Sequence, residues 1–215
     1  MIGPLLPAGV AWAERFDDDV PGLLHPAEEP AVARVVGTRR REFATGRWCA
    51  RQALVRLGVA AEAIPVGERG APGWPPGVVG AITHCAGYRA AIVARAEAYA
   101  SVGLDAEPDG PLPDGVLDTV SLAAERDQLA ALPTGVCWDR LLFSAKESVY
   151  KAWFPLARRW LDFTECRLDL RPDGTFAAHL LVDGPVTGFT GRWRVARGLV
   201  VTVIALRSGE DAAVR

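Results

Sequence analysis

The sequence is poor in cysteine and histidine, the side chains that most often hold soft metals. It has four cysteines, which are far apart and include no CxxC pair: Cys49, Cys85, Cys137 and Cys166. Such a pattern is typical of reduced, mostly buried thiols, and it argues against a thiolate metal site. Only three histidines occur, so any cation site must rely on oxygen ligands.

Long apolar runs and a strong charge of one sign are also absent. No run approaches the roughly 20 residues that a membrane-spanning helix needs. The first 16 residues lack the basic stretch of a signal peptide and contain Pro4 and Pro7. A net charge of −2 provides no global field for nucleic acid or an anionic membrane, so a basic site must be local. These absences predict a cytoplasmic protein that binds neither nucleic acid nor a membrane.

The 215 residues, half of them hydrophobic, are enough for a substantial core in one domain or two small ones. Glu28, Glu29 and Pro30 favour a helix start, and Gly58 favours a helix end, which predicts a helix over residues 31–57. Thr45-Gly46 leaves open whether this is one helix or two. A Gly- and Pro-rich loop follows at residues 67–77.

Strand-like and helix-like segments then alternate. Residues 88–94 and 100–104 predict two strands joined by a hairpin turn, with Thr83-His84 in a turn before the first. A proline-rich connection at residues 107–115 precedes the remaining predicted elements: helices over 123–132 and 136–154, the latter stopped by Pro155, then strands over 166–170 and 176–182 and a hairpin over 191–206 that turns at Gly198.

Each half of the chain therefore runs from helix to antiparallel strands. This order predicts an α+β protein of two similar-sized lobes, residues 1–106 and 107–215, with a cleft between them. No repeat is visible at the residue level, so the order of elements is the sole support for a duplicated fold.

Asp105 and Glu107 stand at the end of an apolar strand. Residues two apart on a strand face the same side, so the two carboxylates repel unless a cation offsets them. Mg2+ prefers such oxygens together with water and substrate phosphates. Taken alone, a solvated strand end explains this pair better than a metal site does.

Glu147 and Lys151 lie one turn apart on the predicted helix over residues 136–154. An exposed ion pair, worth about 0.3–0.5 kcal/mol, is the simple explanation. The functional explanation is a third Mg2+ ligand beside a lysine that meets phosphate oxygens. The helix alone does not favour the functional explanation.

Five arginines crowd the first helix: Arg39, Arg40, Arg41, Arg47 and Arg51. Guanidinium groups match phosphate through paired hydrogen bonds, although most such runs are solvated faces. His84 is able to donate a hydrogen bond to a phosphate, but a lone histidine is more often structural.

In combination, these segments resemble a known family. The ordered motifs GRWCARQAL, GAITHCAGYRAAIV, SVGLDAEP and FSAKESVYKAWFP resemble those of Sfp-type 4′-phosphopantetheinyl transferases, the branch that includes siderophore-synthase activators. The similarity is greatest to actinobacterial members, which likewise have alanine between the two acids. It runs from about Arg39 to Phe154 and more loosely along the β-rich tail.

The resemblance implies a pseudo-symmetric two-lobe α+β fold that binds coenzyme A in the cleft. It implies Mg2+, or alternatively Mn2+, bound by Asp105, Glu107 and Glu147. Asp105, Glu147 and Lys151 are then the catalytic residues. The residues that the resemblance assigns to coenzyme A are Arg39, Arg47, Thr83, His84, Lys146 and Lys151. The family's GKP loop here reads RGAP, with Ala71 in place of the lysine, and Arg69 is the expected substitute.

The implied activity is transfer of phosphopantetheine from coenzyme A to a serine of an acyl or peptidyl carrier protein, releasing 3′,5′-ADP, by a monomer. The carriers of fatty-acid, polyketide, nonribosomal-peptide and siderophore synthesis are the expected partners. Two alternatives remain: a metal-dependent phosphodiesterase or nucleotide hydrolase, and a non-catalytic coenzyme-A-binding regulator. A hydrolase needs no protein acceptor, and a regulator needs no Mg2+.

Overall fold

The computed structural model describes residues 1–19, 24–34 and 37–209 and has an α+β architecture of two antiparallel sheets. The helices are α1 (Thr38–Arg56), α2 (Val116–Val120), α3 (Ala123–Ala131) and α4 (Trp138–Ala157). The strands are β1 (Val10–Arg15), β2 (Val78–Cys85), β3 (Tyr88–Arg95), β4 (Tyr99–Pro108), β5 (Cys166–Leu170), β6 (Thr175–Leu180), β7 (Gly188–Ala196) and β8 (Leu199–Arg207). The predicted fold class is therefore confirmed.

Strand pairing departs from the predicted order. The smaller sheet has the order β1-β3-β2, and the larger has β4-β8-β7-β6-β5. The hairpin predicted between β3 and β4 is wrong, because β4 leaves the first sheet and pairs with β8. Thr83 and His84 lie within β2, not in a turn, where each pairs with a residue of β3. The hairpin at Gly198 is confirmed: Arg197 and Gly198 have φ of 55° and 71°, the left-handed pair of a type I′ turn.

Helix α1 begins seven residues later than predicted. Residues Glu29–Val32 form a short 3-10 turn, and Gly37 has a φ of 64°, which is not helical. Residues 35 and 36 of the predicted helix lie outside the described residues. Thr45-Gly46 does not interrupt α1. Gly46 instead leaves room for Ile82 of β2, since a Cβ added there would lie 3.3 Å from Ile82 Cγ2. The predicted end at Gly58 is confirmed by the paired bonds of a Schellman motif.

Helix α4 does not stop at Pro155. It continues to Ala157, since proline removes one backbone hydrogen bond near the C-terminal end and the Arg158 N–H still bonds the Phe154 carbonyl at 2.9 Å. Buried Trp153 and Phe154 fix this turn to the core. No helix within the described residues has the length and apolar character needed to cross a bilayer.

Three apolar clusters fill the interior. α1 packs on the smaller sheet and α4 on the larger, while a middle cluster joins residues of both sheets, including Tyr88 of β3, Leu104 of β4 and Val203 of β8. α4 approaches β4 very closely at Gly103, where an added Cβ would lie 2.0 Å from the Ser148 carbonyl oxygen. This contact sets Asp105 of β4 beside the polar face of α4.

Candidate active site

Asp105 lies where β2, β4 and α4 meet. The carboxylate is buried, and its Oδ1 accepts hydrogen bonds from Lys151 Nζ at 2.7 Å and from Thr83 Oγ1 at 3.3 Å. Thr83 also accepts a bond from the Ala106 N–H at 3.1 Å, so its hydroxyl ties β2 to β4. Asp105 Oδ2 is buried and has no hydrogen-bond partner among the described residues. An unpaired buried carboxylate oxygen is costly, and a cation is the partner that best satisfies it.

The charge of Asp105 acts on the other two predicted carboxylates, Glu107 and Glu147. Burial raises the pKa of Glu107, and the charge of Asp105 raises it further. Burial likewise raises the pKa of Glu147, with Lys151 opposing the shift and Asp105 adding to it. Both carboxylates therefore share the field of Asp105, although they come from a strand and a helix far apart in sequence.

Two cationic side chains form ion pairs with two of these acids. Lys151 binds Asp105, and Arg140 Nη1 binds Glu107 Oε2 at 3.1 Å. The described residues contain no ready group of three or more His, Cys, Asp or Glu side chains with metal-holding geometry. Arg140 was not expected from the sequence, although it precedes Glu147 by seven residues, two helical turns along the same face.

A second polar group lies at the N-terminal end of α1. Arg39 Nη1 lies 3.0 Å from His84 Nε2 and 3.2 Å from Nδ1. Burial, and then the charge of Arg39, lower the pKa of His84 to about 4, with a smaller contribution from Lys151. His84 is thus neutral at pH 7, and it lies within electrostatic range of the Lys151–Asp105 pair.

Arg47 occupies an unusual environment on α1. It is only 5% exposed, and its guanidinium lies 4.4 Å from the centre of the Phe43 ring. Its Nε has no hydrogen-bond partner within residues 1–19, 24–34 and 37–209. Burial lowers the pKa of Arg47 to about 10, so the side chain stays charged at pH 7. No carboxylate in the described residues forms an ion pair with it, and an anionic ligand would supply that partner.

Lys146 is buried and lines one cleft with Glu147. Its Nζ donates to Glu125 Oε2 at 2.8 Å, to the Phe163 carbonyl at 2.7 Å and to the Cys166 carbonyl at 2.9 Å. All three N–H groups are therefore engaged inside the protein. These bonds hold Lys146 in place, and its expected contact with coenzyme A stays a prediction.

Arg69 belongs to the 3-10 turn Glu68–Gly70, where its own φ is 51°. Its guanidinium lies 6.0 Å from the centre of the exposed Trp160 ring, and Trp160 packs on Tyr150 of α4 at 4.9 Å. Glu147, Tyr150 and Trp160 line one cleft together with Leu161 and Phe163. The loop that lacks the family lysine therefore places the Arg69 guanidinium next to the aromatic side chains that line the cleft with Glu147.

Comparison with known proteins decides the family. Residues 27–94 match the family model of the 4′-phosphopantetheinyl transferase N-terminal domain, and residues 101–204 match that of the 4′-phosphopantetheinyl transferase superfamily. The chain belongs to this superfamily. It is therefore an enzyme, a 4′-phosphopantetheinyl transferase, and the resemblance seen in the motifs is confirmed.

Two curated relatives match nearly the whole chain, and a third matches about half of it. This transferase is 55% identical to 4′-phosphopantetheinyl transferase Svp of Streptomyces mobaraensis, covering 96% of this chain and 89% of that protein. It is 49% identical to 4′-phosphopantetheinyl transferase PptT of Mycobacterium tuberculosis, covering 96% and 98%. Enterobactin synthase component D of Salmonella typhi is 36% identical over 54% of this chain and 48% of its own length.

Proposed function

We propose that this transferase moves the 4′-phosphopantetheine group of coenzyme A onto a serine of an acyl or peptidyl carrier protein, with Mg2+ held by Asp105, Glu107 and Glu147. The observation that carries the proposal is buried Asp105 Oδ2, which lies beside Lys151 and has no hydrogen-bond partner in the part of the chain that the structure describes. It marks a position where a cation would remove the cost of a desolvated carboxylate oxygen.

The donor set fits a hard divalent cation. Three carboxylates supply oxygens only, which suits Mg2+ or Mn2+ and leaves positions for water and phosphate. Burial already raises the pKa of Glu107 and Glu147, so the site gains by acquiring positive charge. When bound, the metal would neutralise charge that develops on the pyrophosphate oxygens.

Four side chains are proposed to bind the nucleotide phosphates. Arg39 and His84 are assigned to the 3′-phosphate. The Arg39 side chain reaches from α1 to His84 at the end of β2, where a phosphate is able to contact both from solvent. Arg47, charged and without an acid partner, and Arg69, at the cleft rim, supply further positive charge. Thr83 contributes indirectly, by orienting Asp105.

In the proposed reaction the carrier serine oxygen bonds to the β-phosphorus of coenzyme A. The bond from that phosphorus to the bridging oxygen breaks, and its electron pair leaves on 3′,5′-ADP. Glu147, whose pKa burial raises, accepts the serine proton directly or through a water. Lys151 has one N–H beyond those given to Leu104 and Asp105, and this N–H stabilises the departing phosphate.

The test uses apo-carrier protein, coenzyme A and Mg2+, with mass spectrometry of the carrier. Transfer adds about 340 Da to the serine. Asp105→Asn should lower kcat/KM about 100-fold, because the cation loses its central ligand. It should also weaken Mg2+ binding measured by calorimetry in the presence of coenzyme A. Asp169→Asn is the matched control, since Asp169 is a part-buried aspartate of β5 that pairs with His179 of β6.

Full activity and unchanged Mg2+ affinity in Asp105→Asn would refute the metal assignment. Release of 3′,5′-ADP without an acceptor protein would favour the hydrolase alternative. Binding of coenzyme A without transfer to any carrier would favour the regulator.

The remaining features of the proposal concern organisation. We propose a cytoplasmic monomer that serves carriers of fatty-acid, polyketide, nonribosomal-peptide or siderophore synthesis. The division into lobes at residues 1–106 and 107–215 stays a prediction, although β4 crosses that boundary and pairs with β8.

A further inference from the structure

Glu42 of α1 lies among three nitrogen-bearing side chains near the end of β2. Its Oε2 is 3.5 Å from Arg39 Nη1 and 3.9 Å from His84 Nδ1, and its Oε1 is 3.3 Å from Arg89 Nη2. The side chain is only 18% exposed, which reduces the screening of these charges by water. Glu42 is one turn from Arg39 on α1 and contacts two adjacent strands at once.

Arg89 of β3 fixes Glu42 through an ion pair. Its side chain is 4% exposed and also binds Asp18 Oδ2 at 2.8 Å and the Cys85 carbonyl at 2.7 Å. Arg89 is the cross-strand partner of His84 in the β2–β3 pair. Glu42 therefore connects a buried cation, already paired with Asp18, to the two side chains proposed for the 3′-phosphate.

Arg39 needs such a connection more than His84 does. Its side chain is 62% exposed, and a long, exposed arginine loses rotamer entropy when it is fixed. Arg39 and Arg89 also repel each other, so without an acid between them Arg39 would turn to solvent. With Glu42 in place, Arg39 stays within 3.2 Å of both His84 ring nitrogens before any ligand arrives.

We propose that Glu42 is a positioning residue that holds Arg39 and His84 ready for a phosphate monoester, the 3′-phosphate of coenzyme A. This inference rests on the proposed function, because it assumes that Arg39 and His84 read that phosphate. Its effect has a defined sign. A carboxylate repels an incoming phosphate, so removing its charge strengthens binding if Glu42 acts only through its field. Removing it weakens binding if Glu42 acts by holding Arg39.

The experiment compares coenzyme A with 3′-dephospho-coenzyme A in the wild-type enzyme and in Glu42→Gln, with a saturating carrier protein. Glu42→Gln should raise KM for coenzyme A about tenfold, which corresponds to about 1.4 kcal/mol. It should leave kcat and the KM for the dephospho form within about twofold. Glu29→Gln is the matched control, because it breaks an exposed ion pair of the same region, with Arg40 at 2.5 Å.

Tighter binding of coenzyme A by Glu42→Gln, or equal losses with both substrates, would overturn the positioning role. The proposed function is checked separately with His84→Ala, which should lose discrimination between the two substrates. If the wild-type enzyme and His84→Ala discriminate equally, the phosphate assignment itself fails. If His84→Ala loses discrimination between the two substrates while Glu42→Gln discriminates like the wild-type enzyme, the phosphate assignment stands and the inference about Glu42 falls.

Discussion

Burial determines how each acidic side chain of the site behaves. Asp105 is nearly inaccessible and pairs with Lys151, while burial, and then the charge of Asp105, raise the pKa of Glu107, and burial raises that of Glu147. Arg140 partly offsets the effect at Glu107. The free enzyme thus uses two cationic side chains to balance three carboxylates, an arrangement that a bound divalent cation would change.

His84 should make the stability of the enzyme depend on pH. Burial and Arg39 lower its pKa from 6.5 to about 4, so between these values the unfolded chain binds a proton that the native protein does not. Stability therefore falls as pH decreases from 6.5 towards 4. His84→Gln should lose less unfolding free energy between pH 7 and pH 5 than the wild-type enzyme, as measured by urea unfolding at both values.

The comparison isolates His84, since His25 and His179 are present in both proteins. An identical loss of stability in the two proteins would show that His84 titrates normally in the native state.

At the scale of elements, the approach of α4 to β4 positions the site. Gly103→Ala should destabilise the enzyme by about 1–3 kcal/mol, because the added Cβ would meet the Ser148 carbonyl oxygen at 2.0 Å and push α4 away. Activity should fall in parallel, since Glu147 and Lys151 move with α4. Urea unfolding followed by circular dichroism measures the first effect and the carrier assay the second.

Gly110→Ala is the matched control, because nothing lies within 4 Å of its added Cβ. It should stay within about 0.5 kcal/mol of the wild-type enzyme. Equal stability of the two variants would mean that α4 and β4 are not in tight contact at Gly103.

Local signals predicted some elements well. Gly58 and Gly198 mark backbone positions that require a left-handed φ, so the end of α1 and the last hairpin followed from residue type. The start of α1 and the end of α4 were mispredicted, because Pro30 and Pro155 are read locally while tertiary packing decides how far a helix runs. β2 was missed, since its small residues make a weak strand pattern that β3 and β4 stabilise.

Over the whole molecule, the middle apolar cluster makes the two sheets interdependent. It combines Tyr88 and Ile92 of β3 with Leu104 of β4 and Val201 of β8. We expect one cooperative unfolding transition, with tryptophan fluorescence and far-ultraviolet circular dichroism giving the same midpoint in urea. Neither sheet is able to keep this shared surface buried by itself.

Two separate midpoints would contradict that expectation and indicate independent folding units. A fragment of residues 101–209 gives a second check: it should show no cooperative transition, because it lacks the β2 and β3 residues that cover β4 and β8.

The sequence by itself determined the fold class and the family, and it supplied the residue types of the proposed site. The spacing of Asp105 and Glu107 on one strand, and of Glu147 and Lys151 on one helix, follows from strand and helix periodicity alone. Joining the two pairs required tertiary structure, since the Gly103–Ser148 contact brings β4 to α4.

Tertiary structure also sorted side chains that look alike in the sequence. Lys146 and Lys151 share one helix, yet Lys146 is enclosed by protein acceptors while Lys151 binds Asp105. Glu42 and Arg140 carry no motif, and only the elements packed around them give them partners. Periodicity fixes which side of an element a residue faces, whereas packing between distant segments fixes what it meets there, and the chemistry of the site depends on the second.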